Sequence, residues 1–243
     1  KQPAGTSRGV YLTRKTWLVT LSSPQKPGVV GVGECAPLPN LSCDDLPNYE
    51  ERLSQACQQF CETGNINHDE LSPYPSIRFG LETVLWQWQR NGSAALSQTA
   101  FARGEMGIPI NGLVWMGTFE EMAARIEEKL NLGFRCVKLK IGAIDFDREL
   151  QLLKDIRTTF SPHQVELRVD ANGAFTADEV LSKLEKLAKL DLHSIEQPIA
   201  KGQWREMANL CKRSPLPIAL DEELIGVNTL GAKEELLDTI APQ

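Results

Sequence analysis

Phe134-Arg-Cys-Val-Lys-Leu-Lys-Ile141 is the stretch that decides the fold. Side chains of a β-strand alternate between two faces, so Val137, Leu139 and Ile141 share one face while Lys138 and Lys140 share the other. The pattern recurs downstream. In Val165-Glu-Leu-Arg-Val-Asp170 the apolar Val165, Leu167 and Val169 oppose Glu166, Arg168 and Asp170, and the strand-like stretches over 192–196 and 216–221 each end on an acid, Glu196 and Asp221. In an open parallel sheet both faces lie beneath helices, where two lysines and three acids would be costly. A barrel removes the conflict. Its apolar faces meet the outer helices, its charged faces line the interior, and the acids fall at the C-terminal rim, where barrel enzymes carry their chemistry.

Outward from this stretch the chain alternates strand and helix. Strands are expected over 108–115, 134–141, 165–170, 192–196 and 216–221. Between and after them lie a helix opened by the capping box Thr118-x-x-Glu121 and closed near Gly133, one over 146–160, one opened by Thr176-x-x-Glu179, one over 204–211 and one over 228–238. The preceding residues read differently. Strands over 11–21 and 29–34 flank the turn-rich Ser22–Gly28, and helices follow over 45–62 and 76–90, the first striped by Leu46, Tyr49, Leu53, Ala56 and Phe60. The expected organisation is an α+β module over 1–105 and a (β/α) barrel over 106–243.

Three carboxylates converging on one rim repel one another unless a proton or a cation lies between them. A hard divalent cation answers this, and an all-oxygen ligand set of Asp170, Glu196 and Asp221 suits Mg²⁺, with Mn²⁺ as an alternative. Only three histidines are present, none in an H-E-x-x-H spacing, which argues against a zinc hydrolase. Beside a cation and a second ammonium, Lys140 is expected to have a lowered pKa and to act as a base toward a proton α to a carboxylate, with Lys138 as its electrostatic neighbour. A lone acid at a strand end is often a loop-facing charge, and an isolated Lys-x-Lys is usually a solvated face. Their joint placement on matching faces of consecutive strands is what points to a site.

Other function classes are disfavoured. The net charge of −6 leaves no basic footprint for nucleic acid. The apolar runs fall well short of the roughly 20 residues that a membrane-spanning helix needs. The six cysteines form no C-x-x-C pair and read as reduced thiols of a cytoplasmic protein. Gly31-Val-Gly-Glu-Cys-Ala36 resembles a dinucleotide fingerprint, but Pro37 and Pro39 stand where that motif needs a helix.

Lys138-Leu-Lys140, Val169-Asp-Ala-Asn172, Ile195-Glu-Gln-Pro198 and Leu220-Asp-Glu222 resemble the successive barrel-strand motifs of the muconate-lactonizing branch of the enolase superfamily. Within that branch, Gly31–Ser42, Ser76-Ile-Arg-Phe-Gly80 and Ile108-Pro-Ile-Asn-Gly-Leu113 look most like the o-succinylbenzoate synthases, the dehydratases of menaquinone biosynthesis. The resemblance implies an enolase-like α/β barrel, incomplete in this chain, with an N-terminal α+β capping domain. It also implies Mg²⁺ held by Asp170, Glu196 and Asp221, Lys140 removing the α proton, and loss of a β hydroxyl that aromatises the ring. The implied partner is a small-molecule carboxylate, with Asn172, the segment Ala4–Gly9 through Arg8, and the turn Pro37–Leu41 as expected substrate contacts. The family places a further lysine on the strand after that of Asp221, beyond Gln243, and five strands of a barrel of roughly eight leave an open edge. Two other readings stay open. One is a racemase or epimerase of N-acylamino acids or dipeptides, which needs that further lysine. The other is a catalytically inactive fragment or scaffold, which predicts no Mg²⁺-dependent thermal shift.

Overall fold

In the computed structural model, which describes residues 4–6, 9–95 and 97–242, the chain begins with β1 (Ala4–Thr6) and β2 (Gly9–Tyr11), paired as a two-stranded sheet. Two units follow from the contact pattern, one over Tyr11–Ile108 and one over Pro109–Gln243 together with Lys1–Val10.

In the first unit β3 (Trp17–Ser22) and β4 (Val30–Cys35) form an antiparallel hairpin, in register from Trp17↔Cys35 to Ser22↔Val30. The expected strand over 11–21 is therefore broken, its residues 12–16 lying outside any strand. Helix α1 (Tyr49–Thr63) ends on Gly64 in the left-handed region, which glycine enters without steric cost. It starts later than expected because both nearby acids are committed elsewhere. Asp45 Oδ2 accepts from the Asn40 N–H at 2.8 Å. Fully buried Asp44 reaches across to α2 (Pro75–Gln89), where its Oδ2 accepts from the Ser76 N–H and hydroxyl at 2.8 and 2.6 Å. Asp44 thereby caps α2 from a distance, in place of a local cap.

The packing of α2 on β4 explains the glycine-rich stretch. A Cβ on Gly33 would lie 2.0 Å from the Gly80 carbonyl oxygen, and one on Gly80 would lie 2.2 Å from Cys35 Sγ. These glycines let helix and strand backbones touch. No phosphate-binding turn is involved.

From Pro109 onward the second unit alternates strand and α-helix. It runs β5 (Gly112–Val114), α3 (Phe119–Asn131), β6 (Cys136–Lys140), α4 (Phe146–Thr159), β7 (Glu166–Asp170), α5 (Val180–Ala188), β8 (Ser194–Glu196), α6 (Trp204–Arg213), β9 (Ile218–Ala219) and α7 (Leu230–Ile240). The sheet order is β5-β6-β7-β8-β9, all parallel. A doubly wound sheet reverses its strand order at a switch point. Strictly sequential neighbours describe an arc of a barrel. The Thr118 box closes as expected, the Thr118 hydroxyl accepting from the Glu121 N–H and the Glu121 carboxylate from the Thr118 N–H. Thr176-x-x-Glu179 closes on one side only. Glu179 accepts from the Thr176 N–H, but α5 starts at Val180.

Strand parity is realised in the burial. Val137, Leu139, Ile141, Leu167, Val169 and Ile195 are at most 1% exposed and pack with Leu153, Leu184 and Met207 of the helices. At roughly 1.5–3 kcal/mol per fully buried aliphatic side chain, this layer is the main stabiliser of the unit. The opposite face of β6 and β7 keeps Lys138, Lys140, Glu166 and Arg168 partly accessible. No helix among the described residues is long and apolar enough to cross a membrane.

Candidate active site

Register brings the charged residues together. Lys140 stands beside Asp170, and Asp170 beside Glu196, at the C-terminal ends of three adjacent strands. Because the pairing is in-register and parallel, side chains of equal parity project to the same side. Asp170, fully buried, is the hub. Its Oδ2 receives Lys140 Nζ at 2.6 Å and Lys138 Nζ at 3.0 Å, and its Oδ1 accepts from the Asn172 N–H at 3.0 Å. Lys138 also reaches Glu196 Oε2 at 2.5 Å.

The charges are unequally served. Burial would push the Asp170 carboxyl up, but Lys140 and Lys138 outweigh it and hold the carboxyl below its ordinary range. Glu196 shares one lysine. Burial, together with the charge of Asp170, holds it above the usual carboxylate range in spite of Lys138. Burial would lower Lys138, yet Glu196 and Asp170 keep its ammonium above the ordinary value. Two carboxylates in contact, one of them under repulsion, form a donor set suited to a hard divalent cation.

Asp221 is placed differently. The strand expected over 216–221 is only Ile218–Ala219, so Asp221 lies beyond the ladder, exposed, at the entry of a short 3-10 turn over Glu222–Leu224. Among the described residues no three acid, thiol or imidazole side chains stand close enough to enclose an ion. The structure thus gathers Asp170 and Glu196, which Lys138 bridges, and leaves Asp221 on the following turn.

Asn172, expected as a substrate contact, links protein groups in this structure. Its Oδ1 accepts from Lys140 Nζ at 2.9 Å, and its Nδ2 donates to Glu222 Oε1 at 3.0 Å. The second oxygen of Glu222 is buried without a partner. Arg8 lies outside the described residues. Below the lysines, on the same face, Glu166 Oε1 accepts from Arg168 Nε at 2.7 Å and from Cys136 Sγ at 3.4 Å.

Several structural groups escaped the sequence reading. Glu149, 2% exposed on α4, accepts the N–H groups of Gly142, Ala143 and Ile144 on one oxygen and so holds the loop that follows Lys140. Gln197, Glu222 and Glu223 are buried behind the acids. The consecutive acids Asp221-Glu-Glu223 were the available signal, since glutamates are rarely buried unless paired or hydrogen-bonded.

Glu149 yields a pH prediction. Burial raises its carboxyl above the ordinary value, against the three N–H donors. A folded pKa above the unfolded one contributes stability fully present below the unfolded value, about 4.3, and lost as pH rises through the folded value. Glu149→Gln, which stays neutral, should lack that loss. Urea midpoints at pH 4 and pH 7 should therefore move in the variant's favour with rising pH, whereas parallel profiles for wild type and variant would remove the argument.

Comparison with known proteins places this geometry. Residues 121–234 match the enolase C-terminal domain-like family, and residues 8–88 match the MenC N-terminal domain. An o-succinylbenzoate synthase of Desulfotalea psychrophila is 43% identical over the whole of this chain, which spans 73% of that protein. A second synthase, from Thermosynechococcus vestitus, is 27% identical over 93% of the chain, which spans 66% of it. A hydrophobic dipeptide epimerase of a Flavobacteria bacterium matches at 24% identity. The crystal structure of MenC from Desulfotalea psychrophila superposes with a TM-score of 0.79 at 39% identity, covering 95% of this chain and 71% of that one. The o-succinylbenzoate synthase structure from Thermosynechococcus elongatus, complexed with Mg in its active site, superposes at 0.75 with 24% identity, covering 98% and 69%. The parallel arc is thus the enolase-type barrel, and the chain belongs to the o-succinylbenzoate synthase family of the enolase superfamily.

Proposed function

We propose that this protein is an o-succinylbenzoate synthase, a hydro-lyase that dehydrates a hydroxylated cyclohexadiene carboxylate to o-succinylbenzoate in menaquinone biosynthesis. The observation that carries the reading is the joint placement of Lys138 and Lys140 against Asp170 and Glu196 on the inner face at the strand ends. Asp170, Glu196 and Asp221 are the residues that would hold Mg²⁺. The cation would neutralise these acids and withdraw charge from the substrate carboxylate as its α proton leaves.

The chain's own groups supply the rest. Lys140 Nζ, in its free-amine form, takes the α proton, the electron pair moves into the ring, and the β C–O bond breaks. Hydroxide leaves with a proton returned by Lys140, so one water and one aromatic ring result for each substrate. Lys138, fixed by Glu196, keeps a positive charge beside the developing anion. Asn172 holds Lys140 at a defined point, which serves proton transfer through orientation. Aromatisation makes the elimination downhill, so positioning and charge stabilisation suffice. The partner is a small-molecule carboxylate.

The test is incubation with the cyclohexadiene carboxylate and Mg²⁺, following the aromatic product by absorbance. Chelation of divalent cations should lower turnover at least 100-fold, reversibly on adding Mg²⁺. Turnover undisturbed by chelation would sink the reading. A dipeptide epimerised at a higher kcat/KM than the diene is converted would favour the epimerase instead.

A further inference from the structure

Behind the acids one residue ties three strand ends together. Gln197 follows Glu196 directly, is fully buried, and sits at φ 39°, a left-handed conformation that is unfavourable for a non-glycine residue and persists only where its surroundings impose it. Its side chain is fully used. Oε1 accepts from the N–H groups of Asp221 and Glu223 at 3.1 and 3.2 Å, and Nε2 donates to the Ile199 carbonyl at 3.0 Å and to Glu223 Oε2 at 3.2 Å. Its backbone N–H donates to the Ala219 carbonyl, and its carbonyl accepts from the Gly173 N–H. Glu223, 4% exposed, accepts on its other oxygen from the Gly202 N–H at 2.7 Å.

Asp221 needs such support. It stands past the end of β9, so no strand ladder holds it, and its backbone is at φ −132°, ψ −78°. The Gln197 amide reaches its N–H from the strand that carries Glu196. We propose that Gln197, backed by Glu223, is a positioning residue that fixes the backbone at Asp221 and so sets where that carboxylate meets a cation shared with Asp170 and Glu196. The inference rests on the reading of Asp221 as a cation ligand. Groups that orient ligands from behind typically change metal affinity 10–100-fold when removed.

Calorimetric titration with Mg²⁺ alone, with thermal unfolding recorded in its absence, tests this without turnover. Gln197→Met, close in size but without the amide, should weaken Mg²⁺ binding 10–100-fold. The double variant Gln197→Glu/Glu223→Gln keeps the charge count, both N–H acceptors and the link between the two side chains, and should return to within about threefold of wild type. If Gln197→Met does not fold, Glu223→Gln alone should weaken binding, and adding Gln197→Glu should restore it. Asp221→Asn is the reference. If it loses Mg²⁺ binding while the Gln197 and Glu223 variants bind as wild type, whatever their melting temperatures, the positioning role is overturned and the ligand reading stands. If Asp221→Asn binds Mg²⁺ as wild type does, the ligand reading fails and takes the positioning role with it.

Discussion

Lys140→Ala should lower turnover of the cyclohexadiene carboxylate by about 10³-fold, within the 10²–10⁴ range of positioned general bases, and should act on kcat rather than KM. The reason is local. Lys140 is the lysine held by both Asp170 and Asn172, whereas Lys138 is drawn toward Glu196. The fold should survive, since Asp170 keeps Lys138 at 3.0 Å and the Asn172 N–H at 3.0 Å. The loss in stability should be about 1.5–3 kcal/mol, the scale of one hydrogen bond to a charged group. Steady-state kinetics and a urea melt check both halves. A variant that folds and turns over at the wild-type rate would leave Lys140 without a catalytic role.

Asp170→Asn is expected to be the most damaging change to Mg²⁺ binding, with affinity falling by more than about 100-fold, beyond the range for outer-sphere partners. It also leaves Lys138 and Lys140, whose side chains are only 20% and 15% exposed, without their shared anion. Breaking a fully buried pair costs roughly 3–5 kcal/mol. Residual solvent access should reduce this to about 2–3 kcal/mol. The effect carries a pH signature, measured without Mg²⁺. Lys140 and Lys138, outweighing burial, depress the folded-state value for Asp170, so its contribution is present above the unfolded value of about 3.9 and is lost as pH falls through the folded value. The stability gap between wild type and variant should be full at pH 7 and close below pH 4. A gap that stays constant with pH would show that the Asp170 charge does not matter to folding.

The strand parity of 134–141 and 165–170 was legible because period-two alternation is a local property and each strand's burial follows from it. The glycines of 31–33 were legible only as a weak motif. Their purpose, contact with Gly80 of α2, depends on a residue far along the chain. The late start of α1 has a similar cause, since Asp44 is consumed by Ser76. The extent of the last strand was misjudged because Leu216–Asp221 alternates well enough to continue, while the Asp221 N–H is committed to the Gln197 side-chain oxygen, a partner that only packing supplies. Asn172 could be placed near the chemistry by its motif, but its partners, Lys140 and Glu222, belong to different strands and turns.

By itself the sequence determined the α/β alternation, the face on which Lys138, Lys140, Asp170 and Glu196 lie, and the oxygen-rich character of the site, because these follow from spacing along single elements. Tertiary structure alone decided how the charges are shared. In-register parallel pairing sets Lys140, Asp170 and Glu196 side by side, so Asp170 takes two ammonium groups and Glu196 one. It also decided that Asp221 stands outside the ladder, held through a buried amide from a neighbouring strand. Hydrogen bonds between residues far apart in sequence depend on distances that only the packed sheet defines.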